Sequence, residues 1–207
     1  MADTLIPQRH NANFSITPTI IHMKNSNHWE LQDTQPAIDL GILNIQYHFY
    51  KNPRNAKVVK TIAIQGQDAV NVIPLTKDRK VILVKQFRFG IGDYTWEIPG
   101  GMIDTGEQPA DAVQRELREE TGYVDGDWEY LGKIQSNPVF MNTYVHHFLA
   151  RDVTCQVDME LDEAEQVELV PVEIAKVYEW INQGVIQHPH TITAFYFAKS
   201  LLVTGDL

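Results

Sequence analysis

Between Gly101 and Tyr123 the chain reads GMIDTGEQPADAVQRELREETGY, and this stretch concentrates the residues best equipped for chemistry. Glu119 and Glu120 follow Glu116 by three and four residues, so on a helix the three carboxylates share one face. Like charges so placed destabilise a helix by roughly 0.2–0.5 kcal/mol per pair. Such a cluster is ordinarily a solvated surface. Beside a glycine loop on a rigid helix it is also the set of hard oxygen ligands that Mg²⁺ or Mn²⁺ prefers. A bound cation would keep the carboxylates ionised together, whereas their mutual repulsion alone would raise at least one pKa.

The elements that must hold these groups follow from periodicity and punctuation. Pro109 suits the first turn of a helix and Gly122 the position just past its end. Ala112, Val113 and Leu117 form its apolar face, expected to pack on a sheet. Strand-like runs precede it at Ile42–Phe49, Val58–Gln65, Ala69–Pro74, Val81–Phe87 and Thr95–Ile98, with a hairpin turn at Asp78–Arg79. Glu129–Gln135, Tyr144–Arg151 and Val167–Pro171 follow as strands, then helices over Val172–Gln183 and Thr191–Val203. This order predicts an α+β fold, a mixed β-sheet sandwiched by helices. Residues 1–28 read as a polar arm, 29–66 as an N-terminal β extension and 67–207 as the main domain.

Composition narrows the partners. With 27 Asp+Glu against 17 Lys+Arg, and no basic run, a nucleic-acid partner is not expected. No segment approaches the ~18 apolar residues of a membrane span, and the N-terminus lacks a signal pattern. A cytoplasmic protein is the expectation. Cys155 is the only cysteine, which excludes an intrachain disulfide and predicts a small core residue. His146 and His147 point to opposite faces of a strand, while His188 and His190 are expected to be caps or surface residues.

The 101–123 stretch resembles the Nudix box, G-x5-E-x7-R-E-U-x-E-E-x-G-U with U apolar. Gly101, Glu107, Arg115, Glu116, Glu119, Glu120 and Gly122 match all seven identities, and Leu117 fits the first apolar position. At about 7% chance per identity, seven together arise on the order of 10⁻⁸ per position. Tyr123 is an aromatic where an aliphatic is usual. The resemblance implies a metal set of Gly100 (through its carbonyl), Glu116, Glu119, Glu120 and Glu165, with Mg²⁺ as cofactor and Mn²⁺ as substitute. Arg115 would orient the box glutamates.

Further cues resemble the ADP-ribose pyrophosphatase branch of that family. They are Gln86-Phe87-Arg88, the Trp96–Gly101 segment with Gly100 in place of the usual Ala, Pro138 at 15 residues after the box, and the acidic loop Leu161–Glu165. The branch implies Glu163 as general base, with Glu119 and Glu120 also catalytic. It implies Arg88, Glu97 and Met102 as substrate-binding residues, Arg88 on a phosphate or ribose and Glu97 at the pocket edge. It further implies a homodimer whose N-terminal strands help grip adenine, the Trp29 region and residues 42–65 being the candidates. The expected reaction is hydrolysis of ADP-ribose to AMP and ribose 5-phosphate. The alternatives are another nucleoside-diphosphate sugar such as GDP-mannose, or a non-catalytic ADP-ribose-binding regulator.

Overall fold

The computed structural model describes residues 28–161 and 166–203. Its first four strands are β1 (Glu30–Thr34), β2 (Ile38–Asp39), β3 (Asn44–Lys51) and β4 (Val58–Gln65), an antiparallel sheet around β3. There follow β5 (Ala69–Thr76), β6 (Lys80–Arg88), β7 (Asp93–Glu97), α1 (Pro109–Thr121), β8 (Tyr123–Val124), β9 (Asp127–Gln135), β10 (Tyr144–Cys155) and β11 (Val167–Glu173). The chain ends in α2 (Ile174–Asn182), α3 (Pro189–Phe197) and α4 (Lys199–Val203). The larger sheet runs β11-β6-β5-β10-β8, with β7 on β6 and β9 on β10, and its β5–β10 pair is parallel. This is the mixed sheet that the order of elements predicted.

Alternation along β5 and β10 decides what packs where. Val70, Val72, Phe148 and Ala150 meet Ala112, Val113 and Leu117 of α1 on one face. Ile73, Leu75 and Leu149 meet Val177, Ala194, Phe195 and Leu202 of the C-terminal helices on the other. Helix α1 begins at Pro109 and stops where Gly122 turns to φ +70° and donates to the Arg118 carbonyl, as the sequence predicts. The β5–β6 turn lacks an Asn-Gly pair because Thr76 does its work. The Thr76 hydroxyl donates to Asp78 Oδ1 (2.6 Å) and accepts from Lys80 N (3.0 Å), while Arg79 takes φ +61°. The β4 end is stitched to the 137–142 loop by Ile64 N donating to the Phe140 carbonyl at 2.6 Å.

Several expectations need correction. Helix α2 begins at Ile174, because Val172 and Glu173 stay paired with Val81 and Lys80 in the ladder. The last predicted helix is two, α3 and α4, parted at the buried Ala198. Cys155 ends β10 exposed to solvent, not in the core. Strands β1, β2 and β8 lack a readable pattern. Apart from His28, the polar arm lies outside the described residues, as do Glu163 and Glu165. No helix among the described residues is long and apolar enough to cross a membrane.

Candidate active site

The loop that leads into α1 is pinned to β5 like a further strand. Val72 N donates to the Pro99 carbonyl (3.0 Å), Val70 N to the Gly101 carbonyl (2.9 Å), and Ile103 N to the Asp68 carbonyl (2.9 Å). The Pro99 carbonyl is turned to β5, so the N–H of the same trans peptide, Gly100 N, points the other way and donates to Glu120 Oε2 at 2.9 Å. Glu120 is thereby a buried carboxylate, 2% exposed. Both glycines are demanded by close approach. A Cβ on Gly101 would lie 2.4 Å from a Glu116 carboxylate oxygen, and one on Gly100 would lie 2.2 Å from the Val70 carbonyl. In this fold, Gly at 100 instead of Ala therefore follows from how near β5 passes.

Arg115 gathers the remaining acids. Its Nε and Nη2 donate to the two oxygens of Glu107, each at 3.0 Å, a bidentate fork. Its Nη1 reaches Glu116 (2.8 Å) and Glu119 (3.1 Å), and Nη2 also donates to the Met102 carbonyl (3.1 Å). The hydrogen bond from Arg115 holds the Glu107 carboxyl below its ordinary range, with help from Asp104 N. Arg118 takes the other oxygen of Glu119 at 3.2 Å. The orienting role implied for Arg115 corresponds to this geometry.

The donors suit a hard divalent cation in chemistry: carboxylate oxygens on one rigid helix, with Glu116 seated where a Cβ of Gly101 would intrude. They are not drawn together. Among the described residues no three Asp, Glu, His or Cys side chains converge as a ligand set. Arg115 Nη1 bonds both Glu116 and Glu119, while Glu120 turns inward to the Gly100 amide.

A cavity of about 500 Å³ opens beside this loop, lined by Gly100, Gly101 and Met102 on one side and by Arg88, Glu97 and His188 on another. Arg88 Nε and Nη2 donate to the two oxygens of Glu97 at 2.7 and 2.6 Å. Glu97 also accepts from the Thr95 hydroxyl and lies 3.3 Å from His188 Nδ1. Burial pushes its carboxyl up, but Arg88, His188 and Thr95 outweigh burial and hold it below the usual range. Glu97 is 1% exposed, so it forms the inner wall behind Arg88 and not the pocket edge. Met102 is half exposed at the rim.

Four residues of this wall escape sequence reasoning. His188 is the N-cap residue of α3, one of the two places expected for it, but it and His190 line the cavity and are partly buried, which the sequence did not show. Thr191, fully buried, ties α3 to the box approach by accepting from Ile98 N at 3.2 Å. Asn71 accepts from the buried His147 Nδ1 at 2.7 Å, its cross-strand partner in the parallel pair. The one signal in the sequence was polarity on an otherwise apolar strand, at Asn71 and His147. A second cleft, of about 620 Å³, lies between Trp29, His48 and Tyr50 of the first sheet and Pro138–Asn142.

Comparison with known proteins agrees with the box. Residues 66–193 match the NUDIX domain. The chain is 32% identical over 146 residues to the ADP-ribose pyrophosphatase of Bacillus subtilis (70% of this chain, 79% of that protein). It is 24% identical over 185 residues to the ADP compounds hydrolase NudE of Escherichia coli (89% and 93%). A crystal structure of an ADP compounds hydrolase superposes with a TM-score of 0.78 at 20% identity, covering 89% of this chain and all of that one, and shares the fold. A glutamate-bearing helix fastened to a glycine loop, in a chain so matched, makes this protein a member of the Nudix hydrolase family.

Proposed function

We propose that the protein hydrolyses the pyrophosphate of ADP-ribose to AMP and ribose 5-phosphate, using Mg²⁺ with Mn²⁺ as substitute. The observation that carries this reading is the box loop forming one wall of a cavity whose other wall holds the Arg88–Glu97 pair. The relative named ADP-ribose pyrophosphatase supports the choice of substrate.

Glu116, Glu119, Glu120, the Gly100 carbonyl and Glu165 would hold the cation. When bound, it supplies charge neutralisation of the pyrophosphate oxygens and a lowered pKa for the attacking water. Glu163 takes the proton of that water. Arg115 holds Glu116 and Glu119 in place through its Nη1 hydrogen bonds. Arg88, steadied by Glu97, offers its guanidinium to a phosphate or ribose oxygen, and Met102 flanks the substrate at the rim. The exposed Leu31 and Ile38 of the first sheet, with Leu40 and Ile42 in its β2–β3 turn, support a homodimer through that sheet, with the Trp29 cleft reading the nucleobase. A cytoplasmic location accords with this chemistry.

The test is product analysis with Mg²⁺ over ADP-ribose, GDP-mannose, dGTP and diadenosine polyphosphates. ADP-ribose is expected to lead in kcat/KM by at least about tenfold, roughly 1.4 kcal/mol of transition-state preference. Glu120→Gln should nearly abolish turnover. A lead for GDP-mannose would reassign the sugar, a lead for a triphosphate would refute the substrate class, and binding without turnover would make the protein a regulator.

A further inference from the structure

The helix α3 approaches the cavity through His188, and the neighbours of that ring bear on what it can offer a ligand. His188 Nδ1 lies 3.3 Å from Glu97 Oε2 and 3.0 Å from Thr191 Oγ1. An ionised carboxylate only accepts, so the tautomer with its proton on Nδ1 is the one that suits Glu97, and it leaves Nε2 a lone pair. Nε2 meets no hydrogen-bond partner among the described residues, and it is not among the buried orphaned nitrogens, as His190 Nδ1 is. His188 lines the cavity, and Nε2 is the ring nitrogen left for a ligand there to meet.

The charges around the ring decide the ligand. Arg88 and Glu97 cancel as a bidentate pair. His190 packs edge-on to His188 with centroids 5.4 Å apart. Burial pushes the His188 imidazole down to about 4 and lowers His190 as well, so both are neutral near pH 7. A neutral wall with a bare acceptor beside a guanidinium repels a phosphate oxygen from the acceptor. It suits a group that donates and accepts at once, which describes a hydroxyl.

We propose that His188 recognises a sugar hydroxyl of the substrate, its Nε2 accepting that hydroxyl's hydrogen bond while the Arg88 guanidinium donates to the same or a neighbouring oxygen. The inference deepens the nucleoside-diphosphate-sugar reading above and rests on it. His188 is then a specificity residue, and the nucleoside ribose and the distal ribose are the two sources of the hydroxyl.

The experiment is calorimetric titration of the full chain in EDTA, where no turnover occurs. The ligands are ADP-ribose, its 2′-deoxyadenosine analogue, its distal deoxyribose analogue and the inosine analogue, which lacks the base amine. One hydroxyl deletion should weaken wild-type binding by about three- to tenfold, the net worth of one hydrogen bond, and which analogue does so identifies the ribose. His188→Asn keeps a donor at the Nδ1 position and loses Nε2, so it should weaken ADP-ribose equally and be indifferent to that deletion. His188→Gln places a carbonyl oxygen near Nε2 and should retain much of the preference. Equal deletion costs in wild type and His188→Asn for both riboses overturn the inference, as does coupling only to the base amine. Wild-type hydrolysis of ADP-ribose without such coupling sinks the His188 assignment alone; absence of both binding and hydrolysis of ADP-ribose sinks the functional reading with it.

Discussion

Replacing Gly101 by Ala should silence the enzyme while leaving the fold nearly untouched, and replacing its neighbour Gly100 should do the reverse first. Gly101 is not at positive φ, so its backbone tolerates a side chain. The new Cβ would sit 2.4–2.6 Å from the Glu116 carboxylate atoms, against ordinary contact at 3.4 Å. That carboxylate is the free end of a flexible side chain and must retreat by about 1 Å, a displacement of the size that costs about 10²-fold in rate. Stability should change by less than about 1 kcal/mol, because no backbone moves. At Gly100 the obstructing atoms are the Val70 carbonyl at 2.2 Å and Asn71 Cα at 2.6 Å, backbone of a central strand. Gly100→Ala should therefore cost about 1–3 kcal/mol as overpacking, lowering Tm by about 2–4 °C per kcal/mol. Thermal melts and kcat/KM on the same preparations separate the two. A fully active Gly101→Ala protein would refute the claim that Glu116 must lie against the loop. A Gly100→Ala protein as stable as wild type would refute the close approach of β5.

Arg115→Lys keeps the charge but cannot span Glu107 with a fork while reaching Glu116 and Glu119. It should lower stability by about 1–2 kcal/mol and reduce kcat, both read on one purified variant; an unchanged Tm would show that the clamp is incidental. Burial holds the His147 and His188 imidazoles down near 4, so below about pH 6.5 the unfolded chain binds protons that the folded one refuses. Stability should be full above that pH and fall toward pH 4, by up to about 1.4 kcal/mol per pH unit per imidazole. His147, with no exposure, should contribute most, and His147→Asn should flatten the slope; a flat Tm in the wild type across that window would contradict it.

Legibility from sequence followed the reach of the interactions. Helix α1 was readable end to end because Pro109, Gly122 and the Ala112–Val113–Leu117 face are local signals about local geometry. The central strands were readable because both faces are buried and their apolar runs say so. Strands β1 and β2 were readable only as part of the β extension over 29–66 and not individually, since every residue in them is exposed and pairing to β3 makes them strands. Helix α2 was placed too early for the same reason, a ladder bond to β6 outweighing a helical run.

The site divides along the same line. Spacing within one helix reveals the box glutamates, but it could not show that Arg115 collects two of them and the loop amide takes the third. Still less could it show the opposite wall, where Glu97 and His188 meet across 91 residues of chain at 3.3 Å. That contact exists because Thr191 on α3 takes the Ile98 amide, the residue next to Glu97, and brings the first turn of α3 against the box approach. That buried hydroxyl, together with Ala194 and Phe195 packed in the core with Ile73, Leu75 and Leu149, seats α3 there. On the reading proposed above, the pocket's selectivity would rest on the docking of α3, whose sequence carries no motif, and its chemistry on α1, whose sequence is almost nothing else.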